Sequence, residues 1–162
     1  MCKIIFLGKE YTKAIAESCK NIDEFVSLDE IITLSRKERI ATLKSLKADA
    51  IIHIFPNRTI ASLAQKAGIP IRIGTCHRVF HWLSCNELLD FTRKNSEWHE
   101  AQLNLQLLAP FGIKQTFSLK ELENYYGFNP QRPVGAEIRK LIDSSRFNLI
   151  LHPKSKGSAR EW

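Results

Sequence analysis

Four short apolar runs, most of them followed by a stretch whose apolar residues recur at helical spacing, organise the first half of the chain. "KIIFLG" (Lys3 to Gly8) is a continuous apolar run closed by glycine, the pattern of a strand buried on both faces. "YTKAIAESCKNI" then sets Ile15, Ser18 and Cys19 on one side of a helix, and "DEFVSLD" is a brief second strand. "SRKERIATLKSLK" opens at Ser35 with Glu38 three positions on, which is a capping box, and Ile40, Leu43 and Leu46 form its buried stripe. "ADAIIHIFP" is the clearest strand and ends at Pro56. "NRTIASLAQKAG" follows as a helix, with Asn57 at its N-cap and Gly68 as its stop, and "IPIRIGT" is a further strand closing at Gly74.

The middle third has no clean period. "CHRVFHWLSCNELLDFTRKNSEW" mixes aromatic and basic residues, and "HEAQLNLQLLAPFGI" is a helix that buries Leu103, Leu107 and Leu108 and stops at Pro110. "SLKELENYYGF" is a second short helix. "PQRPVGAEIRKLIDSSRF" reads as a linker with Pro133 and Gly135 followed by a helix, and "FNLILH" is a last strand standing apart.

Solid apolar strands in alternation with helices imply right-handed crossovers and a mainly parallel sheet. The expectation is a Rossmann-like three-layer α/β domain. Such sheets bind ligands beyond the carboxyl ends of their strands, so the loops after Gly8, Phe55, Gly74 and Leu151 are where chemistry is expected.

The chain of 162 residues is 44% hydrophobic and 25% charged, enough for one domain with a buried core. Its 24 Lys and Arg against 17 Asp and Glu give a net charge of +7, which favours an anionic partner or serves solubility alone. No groove-reading motif or stacking platform points to nucleic acid. Cys2, Cys19, Cys76 and Cys85 show no zinc-site spacing; Cys2 and Cys19 fall on apolar local faces, so the reading is buried free thiols in a reducing cytosol, and no metal is expected. The N-terminal apolar run is too short for a signal peptide, and no segment approaches a membrane span, so the chain reads as cytoplasmic.

Two clusters could carry chemistry. "HPKSKGSAR" offers Ser155, Lys156, Gly157, Ser158 and Arg160, small residues, hydroxyls and cations suited to phosphate, though a solvated basic tail has the same composition. Arg72, His77 and Arg78, with Arg93 and Lys94 further on, gather cations where a strand opens. That suits acidic groups on a substrate, or a basic loop packing its aromatics on the sheet. His53 lies within a buried strand and reads as a core histidine, and Glu100 in the first turn of a helix reads as a cap. No nucleophile with an adjacent base and no paired carboxylates stand out, so no catalytic residue is assigned.

The segments "FLGKEYTKAIAESCKNIDEFVSLDEI", "LKADAIIHIFPNRTIASLAQKAGIPIRIGTCHRVFHWLSCN", "HEAQLNLQLL" and "HPKSKGSAREW" resemble bacterial lipopolysaccharide heptosyltransferases of glycosyltransferase family 9, over almost the whole chain. "RIGTCHR" and the terminal segment are the most specific parts. The resemblance implies the GT-B architecture, two Rossmann-like domains across a cleft. This chain would be the acceptor-side half (residues 1–134), with a linker helix and the first strand and loop of the donor domain (135–162). It implies inverting transfer of heptose from a nucleotide sugar such as ADP-heptose to an acidic lipid A-core acceptor at the inner face of the inner membrane, with no metal or other cofactor. Arg72, His77, Arg78, Arg93 and Lys94 would then bind acceptor, and Ser155, Lys156, Gly157, Ser158 and Arg160 the donor phosphates.

There are departures. Lys154 stands where relatives more often carry glycine. The family's first strand, with an aspartate near a Gly-Asp pair as general base, has no counterpart, and Glu10 and Asp29 do not match it. The expectation is a fragment inactive by itself, or alternatively a non-catalytic glycolipid-binding module or one part of a split enzyme. A sheet lacking its first strand is expected to expose an edge and to self-associate.

Overall fold

A computed structural model describes residues 2–90, 92, 96–129 and 133–150. They fall into two units, Met1–Asn129 and Pro130–Trp162.

In the first unit, strand β1 (Ile5–Gly8) leads through a 3-10 turn (Glu10–Thr12) into a short helix α1 (Lys13–Glu17) and strand β2 (Glu24–Ser27). The two strands pair in parallel, Ile5 against Glu24 through Gly8 against Ser27. α1 turns Ala16 inward and leaves Ile15 exposed, so the expected face of Ile15, Ser18 and Cys19 is not the buried one; Cys19 is half-buried and Cys2 exposed rather than buried as expected. The helix is little more than one turn long, too short for a helical stripe to dictate its packing.

Helices α2 (Leu28–Thr33) and α3 (Arg36–Ser45) follow. The Ser35 hydroxyl accepts from the Glu38 N–H and the Glu38 carboxylate from the Ser35 N–H, the reciprocal cap the sequence announces. Strand β3 (Ala50–Ile52), helix α4 (Arg58–Ala67) and strand β4 (Ile71–Thr75) form the best-packed crossover. Asn57 caps α4 by accepting the Ile60 N–H at 3.1 Å, and Gly68 ends it with φ +78°, a conformation glycine adopts without strain.

Helix α5 (Val79–Ser84) and strand β5 (Glu87–Leu89) occupy the aperiodic segment. They escaped the pattern because α5 buries polar His81 and Ser84 while exposing Val79, Trp82 and Leu83. The three strands form one parallel sheet in the order β3–β4–β5. Helix α6 (Glu100–Leu105) passes into a 3-10 turn (Gln106–Phe111) that contains Pro110 rather than stopping before it. Helix α7 (Leu119–Glu123) closes the first unit.

Side chains alternate across the three-stranded sheet. Ile51 packs with Ile31, Leu43, Ile60, Leu63, Ala64, Ala67 and Ile69 around α3 and α4. Ile52, Ile71, Ile73 and Leu89 instead pack with Leu103 and Leu107, while Leu108 is only half-buried. Helical segments thus pack on both faces of this sheet, and each buried leucine or isoleucine is worth about 1.5–3 kcal/mol. Leu7 and Val26 of the β1–β2 pair join the first core, yet β1 and β3 share no ladder. The chain is therefore a mixed α/β protein in which parallel strands alternate with helices.

In the second unit, helix α8 (Ala136–Leu141) starts after Gly135, as the linker pattern suggests. Phe147–Ile150, the described part of the expected last strand, form no strand and are exposed. Among the described residues no helix is long and apolar enough to cross a membrane.

Candidate functional site

The carboxyl ends of β3, β4 and β5 lie along one edge of their sheet, as parallel strands require. After β4 the chain continues one step beside β5, with the Cys76 N–H donating to the Leu89 carbonyl at 3.1 Å. It then turns through His77 into α5, whose first turn Arg78 precedes. The Trp82 indole N–H reaches back to the Cys76 carbonyl at 2.6 Å, fixing that turn from the helix side. His77 and Arg78 are exposed, as are Phe55 after β3 (87%) and Trp82 (66%). The edge thus mixes cations with large apolar side chains.

One residue of this edge was not anticipated. Asp90, directly after β5, brings Oδ1 to 3.0 Å from His77 Nε2 and 3.3 Å from Cys76 Sγ. Asp90 ends "ELLD" as Cys76 ends "RIGTC", but the pairing of these two loops depends on β5, which the hydrophobic pattern hides. Partial burial and the hydrogen bond to Asp90 push the Cys76 thiol above its ordinary pKa. That is the opposite of what an activated nucleophile needs.

Arg72 departs from expectation. Its guanidinium donates to the carbonyls of Ser84 (2.7 Å), Ile69 (2.5 Å) and Pro70 (3.3 Å), bracing the start of β4 against the end of α5. With Nε and Nη1 bonded to backbone carbonyls, Arg72 has a bracing role in the fold. Arg93, Lys94, Ser155, Lys156, Gly157, Ser158 and Arg160 lie outside the described residues.

His53 is buried, as expected for a core histidine, and is joined there by His81. The two rings stack with centroids 5.4 Å apart. His81 Nδ1 accepts the Thr75 N–H at 3.0 Å. Burial, and then the neighbouring His81, lower His53 to about 4, and burial lowers His81. Both are neutral at physiological pH.

Two of the acidic groups at the β1–β2 edge, Asp29 and Glu10, are engaged in structure. Asp29 Oδ2 accepts the Glu10 N–H at 2.8 Å, and the Glu10 carboxylate pairs with Lys13 at 3.6 Å. They border a shallow depression of about 530 Å³ shared with Val26, Ser27 and Glu30. Its three carboxylates make it a poor seat for an anion.

No family model, curated protein or solved structure matches the chain.

Proposed function

We propose that this chain is the acceptor-recognising part of a heptosyltransferase-type glycosyltransferase, and that the β4–β5 edge holds an acidic glycolipid of the lipid A-core class. The observation that carries this reading is that Arg78, Phe55 and Trp82 are all exposed in the segments that follow the carboxyl ends of β3 and β4 in a parallel sheet. An anionic amphiphile presents phosphates or carboxylates next to apolar chains, and this edge offers a partner for each. Support also comes from the motifs "RIGTCHR" and "HPKSKGSAREW", which resemble those of the lipopolysaccharide heptosyltransferases. In this reading ADP-heptose is the donor, transfer inverts the sugar without a metal, and the acceptor is met at the membrane surface.

The residues described here serve binding rather than the chemical step. Among the described residues, Asp90 faces Cys76 and His77, and Asp29 and Glu10 are tied to the β1 loop, so none of these three carboxylates stands free as a base.

The test is binding of the purified chain to vesicles carrying Kdo-bearing lipid A, against vesicles of neutral lipid. Saturable binding that weakens at least about 10-fold in Arg78→Ser, in line with loss of a charge-assisted contact, is expected. Equal binding to both vesicle types would overturn the reading. So would sugar transfer from ADP-heptose by this chain alone, because it would require a base among residues assigned to binding.

A further inference from the structure

Cys76, His77 and Asp90 bring a sulfur, an imidazole nitrogen and a carboxylate oxygen within 4.8 Å of one another. We infer that these three side chains form a site for a divalent cation of borderline softness, with zinc the best fit. The inference is independent of the glycolipid reading.

Donor chemistry comes first. Thiolate, imidazole and carboxylate are the three ligand types that zinc accepts together, whereas magnesium and calcium call for oxygen alone. Geometry agrees. A tetrahedral zinc with bonds of about 2.0–2.3 Å holds its ligand atoms about 3.3–3.6 Å apart. The Asp90 oxygen already lies 3.0 Å from His77 Nε2 and 3.3 Å from Cys76 Sγ, so small outward movements open the space for an ion.

The site is also built rather than accidental. Cys76 and His77 follow β4 and Asp90 follows β5, and these strands pair in parallel through Thr75 and Leu89. The Cys76 N–H bond to the Leu89 carbonyl and the Trp82 bond to the Cys76 carbonyl hold the turn from both sides. Three ligands leave a fourth position open toward solvent, for water or an anionic oxygen.

Charge balances as well. Zinc binding releases the Cys76 thiol proton to solvent, and thiolate plus carboxylate then neutralise the dication. The site consumes His77 but leaves Arg78 to a ligand of the edge.

The test uses the whole chain, reduced and stripped of metal, titrated with cobalt(II) and then zinc. One equivalent of cobalt should give a thiolate charge-transfer band and the intense d–d bands of a tetrahedral ion, and zinc should abolish both. Cys76→Ser should lose the thiolate band. His77→Gln and Asp90→Asn should weaken zinc at least about 10–100-fold, the cost of losing even an outer-shell partner. Because a Cys76 variant could fold poorly, zinc should also protect Cys76 of the unmodified chain from alkylation, read peptide by peptide, while exposed Cys2 continues to react. A thiolate band surviving in Cys76→Ser, zinc affinity unchanged in Asp90→Asn, or no protection of Cys76 would each overturn the inference. Glycolipid binding is a separate readout: its failure alongside cobalt binding would sink the functional reading and leave the metal site standing.

Discussion

The imidazoles of His53 and His81 stack inside the protein with centroids 5.4 Å apart, and neither Nε2 has a hydrogen-bond partner among the described residues. A buried polar atom without a partner costs free energy, and protonating the pair would cost more. Both rings therefore stay neutral in the fold, His53 with its pKa lowered to about 4 from 6.5.

Acid should therefore destabilise the protein. An unfolded histidine takes its proton near pH 6.5 and the folded His53 only near 4, so the unfolded state binds more protons between these values. Stability is full above about pH 6.5 and falls as pH drops toward 4, by roughly 3 kcal/mol from His53. His81 shifts in the same direction and adds to the loss. Melting temperatures measured from pH 8 to pH 4.5 should fall steeply below pH 6.5, and His53→Leu should flatten that slope. A flat profile in the unmodified protein would refute the buried neutral pair.

Gly74 makes this packing possible. A Cβ there would lie 2.6 Å from His81 Nδ1, 2.8 Å from its Cγ and 2.9 Å from Cys85 Sγ. Gly74→Ala should cost about 1–3 kcal/mol, the usual penalty of overpacking a close contact, measured by urea denaturation. A change under about 0.5 kcal/mol, the scale of neutral surface substitutions, would show that α5 sits away from β4.

The two arginines of the β4 region should separate by experiment. Arg72→Lys keeps the charge but cannot fork between the carbonyls of Ile69, Pro70 and Ser84, and should cost about 1–3 kcal/mol of stability. Its glycolipid affinity per folded molecule should be unchanged. Arg78→Ser should do the reverse, leaving stability within about 0.5 kcal/mol and weakening binding. Calorimetry and vesicle sedimentation on both variants check the pair.

β1 pairs only with β2, and β3 only with β4, among the described residues. Each leaves one edge whose backbone groups can template another strand. Light scattering after gel filtration should show association that grows with protein concentration. A monodisperse monomer across a 100-fold range would count against open edges.

The local grammar of the chain was legible without coordinates. The capping box of Ser35 and Glu38, the Asn57 cap, the Gly68 stop and the parallel β1–β4 strands follow from short-range patterns that a chain enforces on itself. Where polar residues turn inward, the pattern fails: β5 and α5 were hidden because His81 and Ser84 are buried while Trp82 and Leu83 face water.

The sequence by itself determined the alternation of strands and helices, because periodicity and caps are written in neighbouring residues. Only the tertiary structure decided that Arg72 braces the backbone, that His53 meets His81, and that Asp90 joins Cys76 and His77. Those relationships depend on strand register and helix packing, which bring together residues 12 to 28 positions apart that no local pattern connects.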